Sequence, residues 1–437
     1  MKKILIVSYL FAPENAVGAI RPTKLAKYLA LMGYDIHVIT TSYNERYDEI
    51  LAKDSASGFE ITKLNHSPLI KKYLNRNTKV KKINRNYSSD SNIFSEARKK
   101  NVFTLKLKKI LTHLINICIS YDFYYNYKKC LNNLLLDKKF DVIITSYGPI
   151  ASVLCGIYYK KKNDEVNWIS DFRDPMVGET FPDLLNKFNL SIQENAIKKA
   201  DRVVAVSKGY LERICKGRYY EKSFIITNGF DESDLSMDEE VLNDNKFTFT
   251  YTGYLYRGKR DLSVIFECIH DLIRENLIDS DDIVFNYAGK DYSSLYSQAN
   301  QFGLQHLLVD YGLISREESL KLQKKSRYLV LATWNNENEI GVFPGKFLEY
   351  MFIGKPIISL VSGKLPDSEV TRVMQKTNLG ITYEEVYHEK DYKILKEYLK
   401  KEYWRFKKGL NSEFNPNKEI INKYTYENIA IQYRKLF

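Results

Sequence analysis

Residues 1–41 read MKKILIVSYLFAPENAVGAIRPTKLAKYLALMGYDIHVITT, and this stretch decides the fold class. The run "KILIVSY" predicts a strand buried on both faces, because a parallel strand covered by helices carries apolar residues without alternation. A loop containing Gly18 follows. Leu25, Leu29 and Met32 then recur at helical spacing, Pro22 suits a first helical turn, Gly33 suits a C-terminal cap, and "IHVIT" is a second apolar strand. Strand, glycine loop, helix and strand in that order predict an α/β domain with a parallel sheet. A cleaved leader also begins with positive charge and an apolar run, but the helix and strand that follow directly favour the buried strand.

The same alternation runs outward along the chain. "DVIITSY", "VNWISDF", "RVVAVS" and "SFIITN" continue the first series of strands. The acidic, strand-poor "GFDESDLSMDEEVLNDNK" reads as a linker. A second series follows with "FTFTYTG", "IVFNYAG", "LLVDYG", "YLVLAT" and "PIISLVS". The expected organisation is two Rossmann-like doubly wound domains facing across a cleft: a first domain at 1–235 with an insertion at about 43–137, a second at 245–415, and a C-terminal helix at 416–437. Ligands in such sheets bind beyond the carboxyl ends of the strands, which makes the cleft the expected site.

The chain has 437 residues, 44% of them hydrophobic and 27% charged, which excludes collagen-like, disordered and mucin-like classes. Five widely spaced cysteines without a Cys-x-x-Cys pair argue against a disulfide framework or a zinc knuckle and for a reducing cytoplasm. The formal charge is +12, and its distribution is uneven. Between Lys71 and Ile110 thirteen Lys and Arg face only Asp90 and Glu96, so almost all of the excess sits in one basic patch. Such a patch suits anionic lipid at an inner membrane face, or a solvated charged insertion, better than a nucleic-acid coat.

Three segments carry chemistry. In "NNENEIGVFPGKFLEYMFIGKPIISLVS" (335–362), Pro344 stands where a helix should begin and Gly354 where it should end, placing Lys346 and Glu349 one turn apart on one face. A helix N-terminus presents unpaired N–H groups to a phosphate, and a carboxylate one turn in can accept from a vicinal diol. In "YTGYLYRGKRD", Gly253 ends a strand and Arg257, Lys259 and Arg260 cluster before a helix, an arrangement suited to a diphosphate. The first loop lacks both Gly-x-Gly-x-x-Gly and Gly-Lys-Ser/Thr, which speaks against dinucleotide enzymes and P-loop NTPases. Asp279-Ser280-Asp281 has the spacing of a metal-binding Asp-x-Asp but falls in a polar turn, and the six scattered histidines show no metal-ligand spacing. The Tyr-rich "YDFYYNYKK" reads as helix core.

Together, "YLFAPENAVGAIRPTKLAKYLALMGYDIHVIT", "DFRDP", "ENAIKKADRVVAVS", "ITNGFD", "YTGYLYRGKRD", "YAGKD" and the Pro344 block resemble, in order and spacing, the GT-B glycosyltransferases of family four. That resemblance implies a C-terminal helix that returns to pack on the first domain, and a retaining hexosyltransferase working in surface-polysaccharide synthesis without a metal. It would draw on a nucleotide diphosphate sugar and a glycan acceptor, a polyprenyl-diphosphate-linked one above all. It would be cytoplasmic and peripheral on the inner membrane face. By position, the resemblance gives Glu349 the ribose hydroxyls, Lys259 the departing diphosphate and Gly18 the loop that approaches it. Gly253, Arg257, Arg260, Phe343, Pro344 and Lys346 join them as nucleotide-sugar contacts. The family's first motif glutamate falls on Gly341, leaving Glu337 or Glu339 as substitutes, its arginine after the strand glycine falls on Tyr254, and its histidine near the reacting sugar falls at Arg173. The expected catalytic set is Lys259, Arg173 and Glu339, with no metal ligands. The alternatives are a non-catalytic nucleotide-sugar-binding protein of the same fold, a sugar-nucleotide epimerase and a polyanion-binding protein.

Overall fold

The computed structural model describes residues 1–42, 47–76, 102–178, 183–234 and 245–437, with the backbone alone at 102–109, 136–137, 183–184 and 257. Most of the basic stretch, with Lys79, Lys81, Lys82 and Arg85, and the linker residues 235–244 lie outside the described residues. The chain forms two compact units. The first comprises 1–206, 210–227 and 429–437, and the second 207–209 and 228–428.

The first unit holds a seven-stranded parallel sheet: β1 (Lys3–Ser8), β2 (Asp35–Thr41), β3 (Glu60–Leu64), β4 (Val142–Ser146), β5 (Asn167–Phe172), β6 (Arg202–Ala205) and β7 (Ser223–Ile225), in the order β3-β2-β1-β4-β5-β6-β7. Ile4, Leu5, Ile6 and Val7 are fully buried, as an unbroken apolar run between helical layers requires. Helix Ala151–Lys162 lies close on this sheet, because a Cβ on Gly156 would stand 2.4 Å from the Trp168 ring.

Four local expectations need correction. Strand β3 lies inside the stretch read as an insertion. Its exposed and half-buried residues give no continuous apolar signal, as befits an edge strand. Helix Val17–Leu31 starts earlier than the sequence suggested, so Pro22 sits inside it instead of in the first turn. The Tyr-rich segment divides by face, with Phe123 and Tyr127 in the core and Tyr121 and Tyr125 exposed. The C-terminal segment is two short helices, Lys418–Asn422 and Tyr426–Arg434, broken where Thr425 bridges to Phe230.

One buried polar node ties the first unit together. Arg21, 1% exposed, holds Asp171 with Nε at 2.9 Å and Nη2 at 3.0 Å, and also donates to the Ile226 and Thr227 carbonyls and to Tyr433 Oη. A buried ion pair is tolerable when its donors are satisfied in this way. The node seats the last helix and fixes the "DFRDP" and "ITNGFD" segments, so Asp171 is structural.

The second unit holds a six-stranded parallel sheet: β8 (Phe247–Thr252), β9 (Ile283–Ala288), β10 (Leu308–Asp310), β11 (Tyr328–Trp334), β12 (Ile357–Ser362) and β13 (Gly380–Glu384), in the order β10-β9-β8-β11-β12-β13. Strand β13, absent from the sequence reading, is again an edge strand. Strand order reverses between β1 and β4 in the first sheet and between β8 and β11 in the second. These reversals are where open α/β sheets leave a crevice for ligands. Among the described residues no helix is long and apolar enough to cross a membrane.

Candidate functional site

At the reversal of the second sheet, β8 ends in Thr252 and Gly253. Gly253 has φ 114°, which favours glycine, and a Cβ there would lie 2.3 Å from Lys346 Nζ. The missing side chain is what admits the lysine. Lys346 belongs to helix Gly345–Ile353, which begins directly after Pro344 and stops at Gly354 (φ 70°), as the sequence predicts. Its Nζ donates to Thr252 Oγ1 at 3.2 Å. Burial pushes the Lys346 ammonium down from 10.5 to about 8; Glu349 one turn on pulls it back up and Arg260 adds repulsion.

Glu349 Oε1 accepts a 2.6 Å hydrogen bond from Gln323 Nε2, which also reaches Thr252 Oγ1 and Ser319 Oγ, each at 3.1 Å. Lys346, Thr252, Gln323 and Glu349 thus form one polar network at the end of β8. Gln323 is fully buried on helix Arg316–Lys324 and nothing in its sequence context marks it. Thr252 had a weak signal, as the last strand residue before a loop glycine.

The loop after Gly253 is pinned by "YAGKD". Tyr287 Oη donates to the Gly253 carbonyl at 3.1 Å and accepts from Asp291 N at 2.8 Å, while Asp291 Oδ2 accepts from Leu255 N at 2.9 Å. A Cβ on Gly289 would meet the Gly253 carbonyl oxygen at 2.3 Å. Lys259 extends from this loop, about half exposed, with Nζ 2.9 Å from Glu339 Oε2 and 5.4 Å from the Trp334 ring centre. Two of the three expected catalytic residues are therefore an ion pair in the second unit. The third, Arg173, meets Gly18 in the first unit.

Other expected contacts are placed differently. Arg260 turns inward: it is 9% exposed, donates to Tyr254 O at 3.0 Å and lies 4.6 Å over the Tyr256 ring. Its guanidinium braces the loop. Phe343 packs into the core, edge-on to Phe347 and stacked on Tyr424. The Arg257 side chain lies outside the described part of the structure. Gly341 (φ 83°) accepts from Ser207 Oγ at 2.6 Å, and its Cα lies 2.6 Å from where a Gly209 Cβ would stand. A glutamate there would have to adopt a strained backbone against a tightly packed chain. Asp279 serves as an N-cap, accepting from Asp281 N at 3.0 Å, and Asp282 pairs with Lys407 at 2.8 Å, which gives the Asp-x-Asp segment a structural use.

Neither protein-family models nor curated proteins match this chain. Solved structures do. Sucrose-phosphate synthase from Thermosynechococcus elongatus superposes with a TM-score of 0.59 at 13% identity, over 100% of this chain and 98% of that one. The lipopolysaccharide outer core galactosyltransferase WaaB gives 0.53 at 15%, over 99% and 100%. The fold is GT-B. A third GT-B structure, that of TarM, gives 0.60 at 12%, over 100% and 98%. At these identities the similarity establishes the GT-B architecture, and the chemistry has to be argued from the residues.

Proposed function

We propose that this GT-B chain is a retaining, family-four-type glycosyltransferase that moves a hexosyl group from a nucleotide diphosphate sugar to a glycan acceptor in surface-polysaccharide synthesis. The observation that carries the reading is the network at the end of β8, in which Gly253 gives up its side chain so that Lys346 can lie beside Thr252 and one turn from Glu349. Glu349 has one oxygen committed to Gln323 and offers the other to a ribose diol. Glycosyl transfer passes through an oxocarbenium-like state while negative charge grows on the departing diphosphate. Lys346 and Lys259 are the cations for that charge, and fixed cations stabilise it without reorganising at the moment of reaction. Glu339 holds Lys259 in the absence of ligand and releases it when the diphosphate arrives. No metal is needed for these steps, and metal-independent turnover is part of the proposal.

The test is a thermal-shift screen of UDP-, GDP- and ADP-sugars followed by a turnover assay with polyprenyl-diphosphate-linked acceptors. A donor at 100 times its dissociation constant should stabilise the protein by ~2.7 kcal/mol. No stabilisation by any nucleotide sugar would remove the donor-site reading.

A lipid-linked acceptor implies work at a membrane surface. Supporting this, helix Val102–Asp137 turns Leu111, Leu114, Tyr121 and Tyr125 outward, and Leu69 is 82% exposed beside Lys71 and Lys72. Basic residues near anionic lipid contribute ~1 kcal/mol each. We expect flotation with anionic vesicles that weakens with salt and on changing Lys79, Lys81, Lys82 and Arg85 to Glu. A protein that stays unbound on such vesicles at low salt would point to a soluble acceptor.

A further inference from the structure

The loops that follow β1, β4 and β5 converge at the strand-order reversal of the first sheet. Arg173 is the first residue after β5, Gly148 follows β4, and Gly18 lies in the first turn of the helix after β1. Arg173 Nε donates to the Tyr147 carbonyl at 2.9 Å, which fixes the plane of the guanidinium. Its Nη1 and Nη2 both lie 3.1 Å from where a Cβ on Gly18 would stand, and Nη2 lies 2.3 Å from the corresponding position on Gly148. Gly148 thus vacates the space that Nη2 fills, and Gly18, whose Cβ would first meet Leu10 Cδ1 at 2.6 Å, borders the same space from the helix start.

The guanidinium is anchored at one end only. Among the described residues Nη1 and Nη2 have neither a hydrogen-bond acceptor nor an ion pair, although the residue is half-buried. Asp171, two positions earlier, is already held by Arg21. Asp174, the next residue, has its carboxyl pushed up by burial and pulled down by Arg173. A planar fork of N–H donors without an acceptor, beside the strand-order reversal where such sheets bind ligands, matches the geometry of a carboxylate or phosphate.

We propose that Arg173, framed by Gly18 and Gly148, binds an oxyanion borne by the substrate outside the donor's diphosphate, either the carboxylate of an acidic sugar or a phosphate on the acceptor. The site would then select an anionic glycan. This rests on the glycosyltransferase reading for its biological meaning, but its geometry belongs to the first unit alone.

The experiment titrates the full chain with inorganic phosphate, methyl glucuronide and the neutral methyl glucoside, and in parallel with the nucleoside diphosphate that gives the largest thermal shift. Phosphate or the glucuronide should bind and the glucoside should not. Losing charge-assisted hydrogen bonds should weaken that binding roughly ten- to a hundredfold in Arg173→Gln, with partial recovery in Arg173→Lys and no change in nucleoside diphosphate affinity. Binding of phosphate alone assigns the anion to the acceptor, and binding of the glucuronide alone assigns it to an acidic sugar. Binding of neither, or unchanged binding in the folded Arg173→Gln protein, overturns the site. A matching loss of nucleoside diphosphate affinity also overturns it, because Arg173 would then serve the donor. If no nucleotide binds but the anion does, the donor reading fails and the oxyanion site stands.

Discussion

Lys346→Met should lower turnover of a nucleotide diphosphate sugar by about 10²- to 10³-fold, the range seen when a preorganised charge-stabilising group is removed, and should at the same time raise the thermal midpoint. The two effects have one cause. Burial holds the Lys346 ammonium at about 8 instead of 10.5, so the folded protein carries a desolvated charge at neutral pH. The sign follows from linkage. Below about pH 8 the lysine is protonated in both folded and unfolded chains and the full penalty applies; between about 8 and 10.5 the folded lysine is neutral while the unfolded one still holds its proton, so the penalty fades. The stability gain of the methionine variant should therefore be full at pH 7 and vanish toward pH 10.5. A diphosphate beside the ammonium reverses the balance and favours its charged form, so nucleotide affinity in the native protein should fall as pH rises beyond 8. Denaturation curves at several pH values, set beside steady-state kinetics, check both. Equal stability of the two proteins at pH 7 would contradict the desolvation, and unimpaired turnover would contradict the role.

Glu349→Ala should weaken nucleotide binding by about 1.5–3 kcal/mol, the usual cost of losing a charged hydrogen-bond partner, which is roughly a ten- to hundredfold rise in Kd. Folding should change little, because Gln323 keeps Thr252 and Ser319 as acceptors when the carboxylate is gone. Calorimetry separates the two quantities. Gln323→Met serves as the partner variant: it leaves Glu349 without its fixed donor, so a smaller loss of affinity is expected from misorientation alone. An unchanged Kd in Glu349→Ala would remove the ribose assignment even if the protein proves to be a transferase.

The placements that could be read from the sequence are those whose partners lie within a turn or a strand of them. The apolar runs of β1 and β8 announce buried parallel strands, and Lys346 and Glu349 share a helix face by spacing alone. Strands β3 (EITKL) and β13 (GITYE) escaped because their residues are largely exposed or half-buried and the apolar ones alternate with polar ones, so the apolar run that marks β1 is missing. The contacts that complete the site come from distant segments, which periodicity cannot join. Gln323 reaches Glu349 from another helix, and the lysine pocket exists because a glycine at the end of β8 has no side chain. Arg260 shows what local reading leaves out. A cation in a loop at a strand's carboxyl end suggests an anionic ligand, and its Nη1 donates to the Tyr254 carbonyl with the guanidinium over the Tyr256 ring, while its buried Nε has no partner among the described residues. Gly341 is informative in the same way, since its φ of 83° and its packing against Gly209 explain why no glutamate stands where the resembling family has one.

The central claim is that the end of β8, with Lys346 and Glu349, holds the diphosphate and ribose of a nucleotide. Isothermal titration of the full chain with UDP, GDP and ADP at pH 8, in buffers of different ionisation enthalpy, tests it most directly. One of the three should bind at a single site with uptake of a fraction of a proton per nucleotide, as the incoming diphosphate restores the charge on Lys346, and that uptake should vanish in Lys346→Met. No binding at millimolar nucleotide, or binding with the same proton uptake in Lys346→Met and the same affinity in Glu349→Ala, would contradict the account.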